Sequence, residues 1–237
     1  IRMKELGVIT ARGGSKGIPR KNVKILHGKP LIAYTIEAAK ESGIFDRVIL
    51  STDDAEIAEV GKKYGAEVPF MRPVELAEDT TPTLPVLVHA IQWLKDNEKY
   101  EPDAVAILQP TAPLRRAEHL RAAYALFEKS RADSVVSVSE VPGHHNPHWQ
   151  FTIDTDMRAK IFTGEVFADI IKRRQDLPKT YTRNGAIYLC KTSLLFADTP
   201  SFYGNDVRTY VMDEVGSINI DTPEDFARAE LRMNNIV

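Results

Sequence analysis

Short apolar runs of strand length alternate with helix-like segments along most of this chain, and that alternation restricts the fold more than any other feature. ELGVIT (5–10) leads into a glycine-rich loop and then into KPLIAYTIEAAKESG, where Ile32, Ile36 and Ala39 recur at helical spacing. Pro30 suits a first helical turn and Gly43 the position just past a helix end. DRVILSTDD then reads as a strand, AEIAEVGKKYG as a helix closed by Gly65, and AEVPFM as a short strand. Pro85 to Asn97 carries Val86, Val88, Ile91 and Leu94 in a helical pattern. DAVAILQP, AEHLRAAYALFEKS and DSVVSVSEV repeat the order strand, helix, strand. This succession predicts an α/β fold with a mainly parallel, Rossmann-like sheet and helices on both faces.

The alternation breaks between about residues 142 and 182. PGHHNPHWQF is rich in proline and histidine, and EVFADIIKRRQDLPKTYTR is more helical but basic. That stretch reads as a small excursion from the sheet. NGAIYLCKT, RTYVMD and SINID resume the strand pattern, and Thr222-Pro223-Glu224-Asp225 opens a closing helix. A length of 237 residues suits one large domain, expected over 3–237, with Met3 as the expected native start after Ile1 and Arg2.

In a sheet of this kind, ligands bind outside the carboxyl ends of the strands. Three polar loops follow strands: ITARGGSKGIPRKN (9–22), STDD (51–54) and QPTAPLR (109–115). They are expected to converge on one crevice. The first places Arg12, Lys16, Arg20 and Lys21 around three glycines. Net charge is only −2, so these cations are a local concentration in a chain without the basic excess that draws a protein to nucleic acid. The spacing fits neither G-x-x-x-x-G-K-[ST] nor G-x-G-x-x-G. What remains is a phosphate cradle. Glycines admit close backbone N–H groups, lysines act as point charges, and arginines fork onto phosphate oxygens.

The sole cysteine, Cys190, excludes an internal disulfide framework and sits in an apolar run, as an inert core thiol would. No run approaches the ~18 apolar residues of a membrane span. A reducing, cytoplasmic setting is expected.

ARGGSKGIPRKN, GKPLIAYTIEAA, FDRVILSTDD, LQPTAPLR, NGAIY and IDTPEDF, taken in that order, resemble the N-acylneuraminate cytidylyltransferases and their legionaminic and pseudaminic acid relatives. The resemblance covers nearly the whole chain; a more distant one is to the 3-deoxy-octulosonate cytidylyltransferases. It implies a nucleotidyltransferase sheet and transfer of CMP from CTP to the anomeric hydroxyl of a 2-keto-sugar acid, with release of pyrophosphate. It implies a magnesium cofactor, and a dimerisation arm at about 142–182 in a homodimer. By motif match, Lys21, Arg12 and Lys16 are the catalytic cations on the triphosphate. Gly13, Gly14, Ser15, Asn22, Arg72, Thr81 and Thr83 are nucleotide ligands, with Asn22 also suited to capping the next turn. Gln109 and Arg174 contact the sugar acid, Arg174 its carboxylate. Asp53 serves either the crevice or the start of the next helix.

Two positions depart from the family pattern. Where sialic acid enzymes often carry a lysine after a His-His-Pro segment, HHNPHW puts His148 or Trp149; His148 is the expected sugar contact there, and the change favours a relative such as legionaminic acid over N-acetylneuraminate. Adjacent histidines in a loop are poor zinc geometry. The second departure is at the metal site, where the paired acids D-x-D become Asn219-Ile220-Asp221, expected on one face of a strand. An amide oxygen is a weaker magnesium ligand than a carboxylate. The alternatives are therefore an octulosonate-type enzyme and a catalytically silent CTP- or CMP-sugar-binding protein.

Overall fold

The computed structural model describes residues 3–234, so the expectation about Ile1 and Arg2 lies outside the described residues, as does the end of the predicted domain. Its strands are β1 (Glu5–Thr10), the two-residue pair β2 (Ile25–Leu26) and β3 (Lys29–Pro30), β4 (Arg47–Ser51), β5 (Ala104–Ile107) and β6 (Ser134–Glu140). After them come β7 (Phe151–Ile153), β8 (Ala159–Ile161), β9 (Tyr181–Lys191) and β10 (Val207–Val211). The helices are α1 (Leu31–Ser42), α2 (Ala55–Lys63), α3 (Thr83–Glu98), α4 (Ala117–Ser130) and α5 (Pro223–Asn234).

Six strands form one sheet in the order β10-β6-β9-β5-β1-β4. β1 pairs in parallel with both β4 and β5, and β10 in parallel with β6. Only β9 among them runs against its neighbours, antiparallel to β5 and to β6. The sheet is therefore mainly parallel, as the alternation predicts. The chain leaves β1 for β4 on one side and later enters β5 on the other. The carboxyl ends of β1 and β5 thus flank the switch point where such sheets bind ligands.

Strand alternation sorts side chains onto two apolar faces. Ile9, Val48, Leu50, Ala104 and Ala106 pack with Ile32 and Ile36 of α1, Ile57 of α2 and Leu120 and Phe127 of α4. Leu6, Val8, Ile49, Val105 and Ile107 pack on the opposite face with Leu87, Ile91 and Leu94 of α3. Leu87 and Leu94 are fully shielded, so truncating either to alanine should cost about 2–5 kcal/mol. Cys190 is buried in the second cluster, where burial pushes its thiol up to about 12. It is an inert thiol, as its apolar run predicts. A third cluster joins Ile18 of the glycine-rich loop to Leu26, Leu31, Ile220, Phe226 and Met233, and so ties that loop to α5.

Four local expectations need correction. AEVPFM forms only a single bridge, Ile49 with Glu67, because proline at 69 and Ser51 at the end of β4 leave no ladder to extend. Pro30 stands just before α1 rather than inside its first turn, with ψ 141°. SINID is no strand; its backbone crosses the end of the sheet, and Ile220 N–H donates to the Thr111 carbonyl at 2.8 Å. Residues 142–180 hold no α-helix: they contain the β7–β8 hairpin and four 3-10 turns. Val166 and Phe167 of that stretch stay exposed, so no core face stabilises it as a helix.

Candidate active site

The glycine-rich loop leaves β1 and crosses the carboxyl end of the sheet, where acidic side chains from three other segments hold it. Gly13 N–H donates to Asp53 Oδ1 at 3.0 Å. Asp53 thus fixes the loop, and Asp54 is the N-cap of α2, accepting from Ile57 N–H. Arg20 forks onto Asp54 and also reaches Glu56, so it staples the loop to α2 instead of facing a ligand. Asn22 is buried and its amide donates to the Arg12 carbonyl at 3.0 Å, which closes the loop on itself.

The remaining cations fall into two groups. Arg12 Nη1 and Lys16 Nζ each lie 2.6 Å from a different oxygen of one carboxylate, Asp79. Lys21 instead donates to the Ile220 carbonyl at 2.9 Å and stands 3.5 Å from Asp221 Oδ1. A Cβ on Gly17 would stand 2.5 Å from the Asp221 carbonyl oxygen, so only glycine permits this approach. The structure therefore brings Lys21 and the 219–221 segment together from opposite ends of the chain. Gly14 and Ser15 lie in the same loop, with open space where a Gly14 side chain would be.

Next to Arg12 is a cavity of about 170 Å³, lined by Thr10, Arg72, Glu78, Asp79, Thr81 and Thr83. Arg72 forms its floor: Nε donates to Ser51 Oγ at 3.0 Å and Nη2 to the Ser51 carbonyl at 2.5 Å. Burial pulls this guanidinium down to about 10. Thr81 is held in place by its hydroxyl, which donates to the Glu75 carbonyl.

Gln109 follows β5, and its side chain and that of Asn219 both approach Gly185. Gly185 adopts φ +74° inside β9, beside the irregular pairing of β6 with β9. A Cβ there would lie 3.4 Å from Gln109 Oε1 and 3.7 Å from Asn219 Oδ1. Beneath Gln109 lies Arg115, only 2% exposed, with burial pulling its guanidinium down to about 9. Its Nη1 donates to the carbonyls of Ala186, at 2.6 Å, and Gln109, at 3.3 Å. It thereby fixes the end of β5 against β9.

The metal expectation rests on Asn219 and Asp221. They are not strand neighbours, yet their side chains meet: the Asn219 amide donates to Asp221 Oδ2. Asn219 Oδ1 is shielded and has no hydrogen-bond partner among the described residues. One orphaned amide oxygen beside one carboxylate fits a hard cation that takes its other ligands from phosphate and water. No group of three acidic, histidine or cysteine side chains suited to a metal occurs among the described residues.

The structure does not bring every predicted residue into this crevice. Arg174 lines a separate cavity of about 650 Å³ at the base of the excursion, with His145, Lys179, Ser217, Ile218, Arg228 and Arg232. Ser217 and Ile218 lead directly to Asn219, so one segment runs from this cavity to the crevice. Neither cavity is lined by His148, whose Nδ1 pairs with Glu165 Oε1 at 2.8 Å within the excursion.

Three contributors escaped the sequence reading. Asp79 stands beside the threonines singled out in EDTTPT, but nothing local marks it as the partner of Arg12 and Lys16. Gly17 reads only as loop flexibility until its neighbour across the chain is known. Arg115 lies inside the quoted motif QPTAPLR, and its burial is the signal that matters.

Comparison with known proteins extends these observations. The chain matches the family described as Cytidylyltransferase over residues 6–219. It is 37% identical to the CMP-N,N'-diacetyllegionaminic acid synthase of Legionella pneumophila, over 98% of this chain and 97% of that one. It is 36% identical to a pseudaminic acid cytidylyltransferase of Campylobacter jejuni, over 98% of both chains. Among solved structures it resembles CMP:2-keto-3-deoxy-manno-octonic acid synthetase complexed with CTP. That likeness has a TM-score of 0.70 at 18% identity, covers 99% and 100% of the two chains, and concerns the fold.

Proposed function

This chain belongs to the cytidylyltransferase family, and from that premise we propose that it transfers CMP from CTP to the anomeric hydroxyl of a 2-keto-sugar acid. The observation that carries the reading is the meeting of two groups at one sheet switch point: Arg12, Lys16 and Lys21 from the glycine-rich loop, and Asn219 and Asp221 from the far end of the chain. The sugar hydroxyl oxygen forms a bond to the α-phosphorus, the bridging bond to pyrophosphate breaks, and the hydroxyl proton is released. Charge builds on phosphoryl oxygens, so positioning and fixed positive charge do most of the catalytic work.

In this mechanism Arg12 and Lys16 hold the outer phosphates, and Lys21 faces the α-phosphate. The backbone at Gly13, Gly14 and Ser15 and the side chain of Asn22 complete the cradle. Arg72, Thr81 and Thr83 surround the small cavity that takes the nucleoside. Gln109 hydrogen-bonds the sugar acid. Arg174, whose side chain forms no hydrogen bond or ion pair among the described residues, receives its carboxylate as a bidentate fork. Asp221 and Asn219 would hold Mg²⁺, which would screen the phosphate charge. His148 is assigned no contact with the sugar, since Glu165 engages it.

The preferred acid is of the nine-carbon legionaminate type, supported by the 37% identity to an enzyme named for that product and by the missing lysine in HHNPHW. A homodimer through the excursion is supported by its exposed Phe151, Ile153, Phe162, Val166 and Phe167, which is more apolar surface than one small hairpin usually leaves in water. No helix of the described residues is long and apolar enough to cross a membrane. A cytoplasmic setting is proposed from the single buried thiol.

The test is pyrophosphate release from CTP with a panel of 2-keto-sugar acids, with and without Mg²⁺. Release with a nine-carbon acid supports the proposal, and release with the eight-carbon acid alone points to the octulosonate reading. CTP binding without release from any acid identifies a silent binder. Sedimentation as a monomer at micromolar concentration rejects the dimer.

A further inference from the structure

We infer that Asp79 is a built-in counter-ion that stands in for the outer phosphates of the nucleotide and must be displaced by them, so that it sets selectivity for a triphosphate. This rests on the proposed assignment of Arg12 and Lys16 to those phosphates. The two oxygens of Asp79 are divided between them, at 2.6 Å each, so one anionic group bridges both cations. Lys16 is 82% exposed and has no other partner among the described residues. Lys16 and then Arg12 hold the Asp79 carboxyl below the usual carboxylate range.

Such an exposed pair is weak and screened by salt, so an anion with several charges replaces it readily. A ligand with a single phosphate, sited at Lys21, leaves it intact, because Lys21 pairs with Asp221 in the other cation group. Asp79 also lies in the turn closed by Thr81 N–H on the Glu78 carbonyl, and that turn lines the cavity floored by Arg72. Displacing Asp79 therefore moves a wall of the nucleoside cavity, which couples phosphate occupancy to base recognition. Once pyrophosphate leaves, Asp79 re-pairs with both cations and competes against its return.

The experiment is calorimetric titration of Asp79→Asn, Asp79→Ala and the unaltered protein with inorganic pyrophosphate, CTP and CMP, free of divalent metal and at two salt concentrations. Both variants should bind pyrophosphate and CTP at least tenfold more tightly, with a steeper salt dependence, while CMP affinity stays within twofold. Unchanged or weaker pyrophosphate binding overturns the inference, as does an equal gain for CMP, which would indicate only a more positive surface. Weaker binding of magnesium pyrophosphate in the variants, without a gain for metal-free pyrophosphate, would make Asp79 a metal ligand and also overturns it. The pyrophosphate titration remains readable if no sugar acid is ever turned over, so its failure is distinct from failure of the proposed activity.

Discussion

Gly17 lies so close to Asp221 that a side chain on the glycine would strike the aspartate's backbone carbonyl, 2.5 Å from its first carbon. The contact joins residues 204 positions apart (221 − 17), and it holds Lys21 beside the 219–221 segment. A backbone oxygen cannot rotate away as a side-chain end can. Gly17→Ala should therefore push the loop and segment apart and lower kcat at least tenfold. Far-ultraviolet circular dichroism should stay unchanged. Normal turnover in this variant would show that the approach is dispensable.

Lys21 is placed to stabilise charge at the α-phosphate. Replacing it with alanine should remove about 2–4 kcal/mol of transition-state stabilisation, a loss of about 30-fold to 10³-fold in kcat/KM. Steady-state pyrophosphate release measures this directly. A loss confined to KM for CTP would assign Lys21 to ground-state binding only.

Asn219→Asp would set a second carboxylate against Asp221, where an amide now donates a hydrogen bond. Like charges at that distance repel, so the variant should melt at a lower temperature than the unaltered protein in the absence of metal. Mg²⁺ should then raise its melting temperature more than it raises the parent's. Equal magnesium responses in thermal scans would remove residue 219 from the metal site.

Glu5 supplies a pH prediction away from the site. It is fully shielded at the start of β1, where burial raises its carboxyl from the ordinary 4.5 to about 7. The Tyr124 hydroxyl opposes that rise, while Asp46, Glu128 and Asp103 add to it. Folded protein thus holds a proton that unfolded chain gives up. This contribution is complete below about 4.5 and is lost as pH rises through about 7. Its size is on the order of 3 kcal/mol. Glu5→Gln should flatten that slope and be more stable than the parent at pH ~8, as urea unfolding at pH ~5 and ~8 would reveal. Parallel curves would mean that Glu5 does not carry the dependence.

Much of the fold was legible in local pattern. Alternating apolar runs and helical spacing are short-range properties, and β1, β4, β5, β6, α1, α2 and α4 follow from them because each buries one face against the sheet. The glycine-rich loop announced its cations for a similar reason: net charge near zero makes four of them within ten residues conspicuous. SINID misled because isoleucine alternation also suits a segment held by isolated hydrogen bonds, and Ile218 and Ile220 bury against α5 without any ladder.

The sequence by itself determined the alternating α/β order, the position of the phosphate loop after the first strand, and the inert state of Cys190. Tertiary structure alone decided that Arg20 belongs to Asp54 and Glu56, that Asp79 binds Arg12 and Lys16 together, and that Lys21 meets Asp221. The division has a physical cause. Periodicity is written within a few consecutive residues, whereas the partner of a charge depends on which distant segments the sheet order brings within a few ångströms.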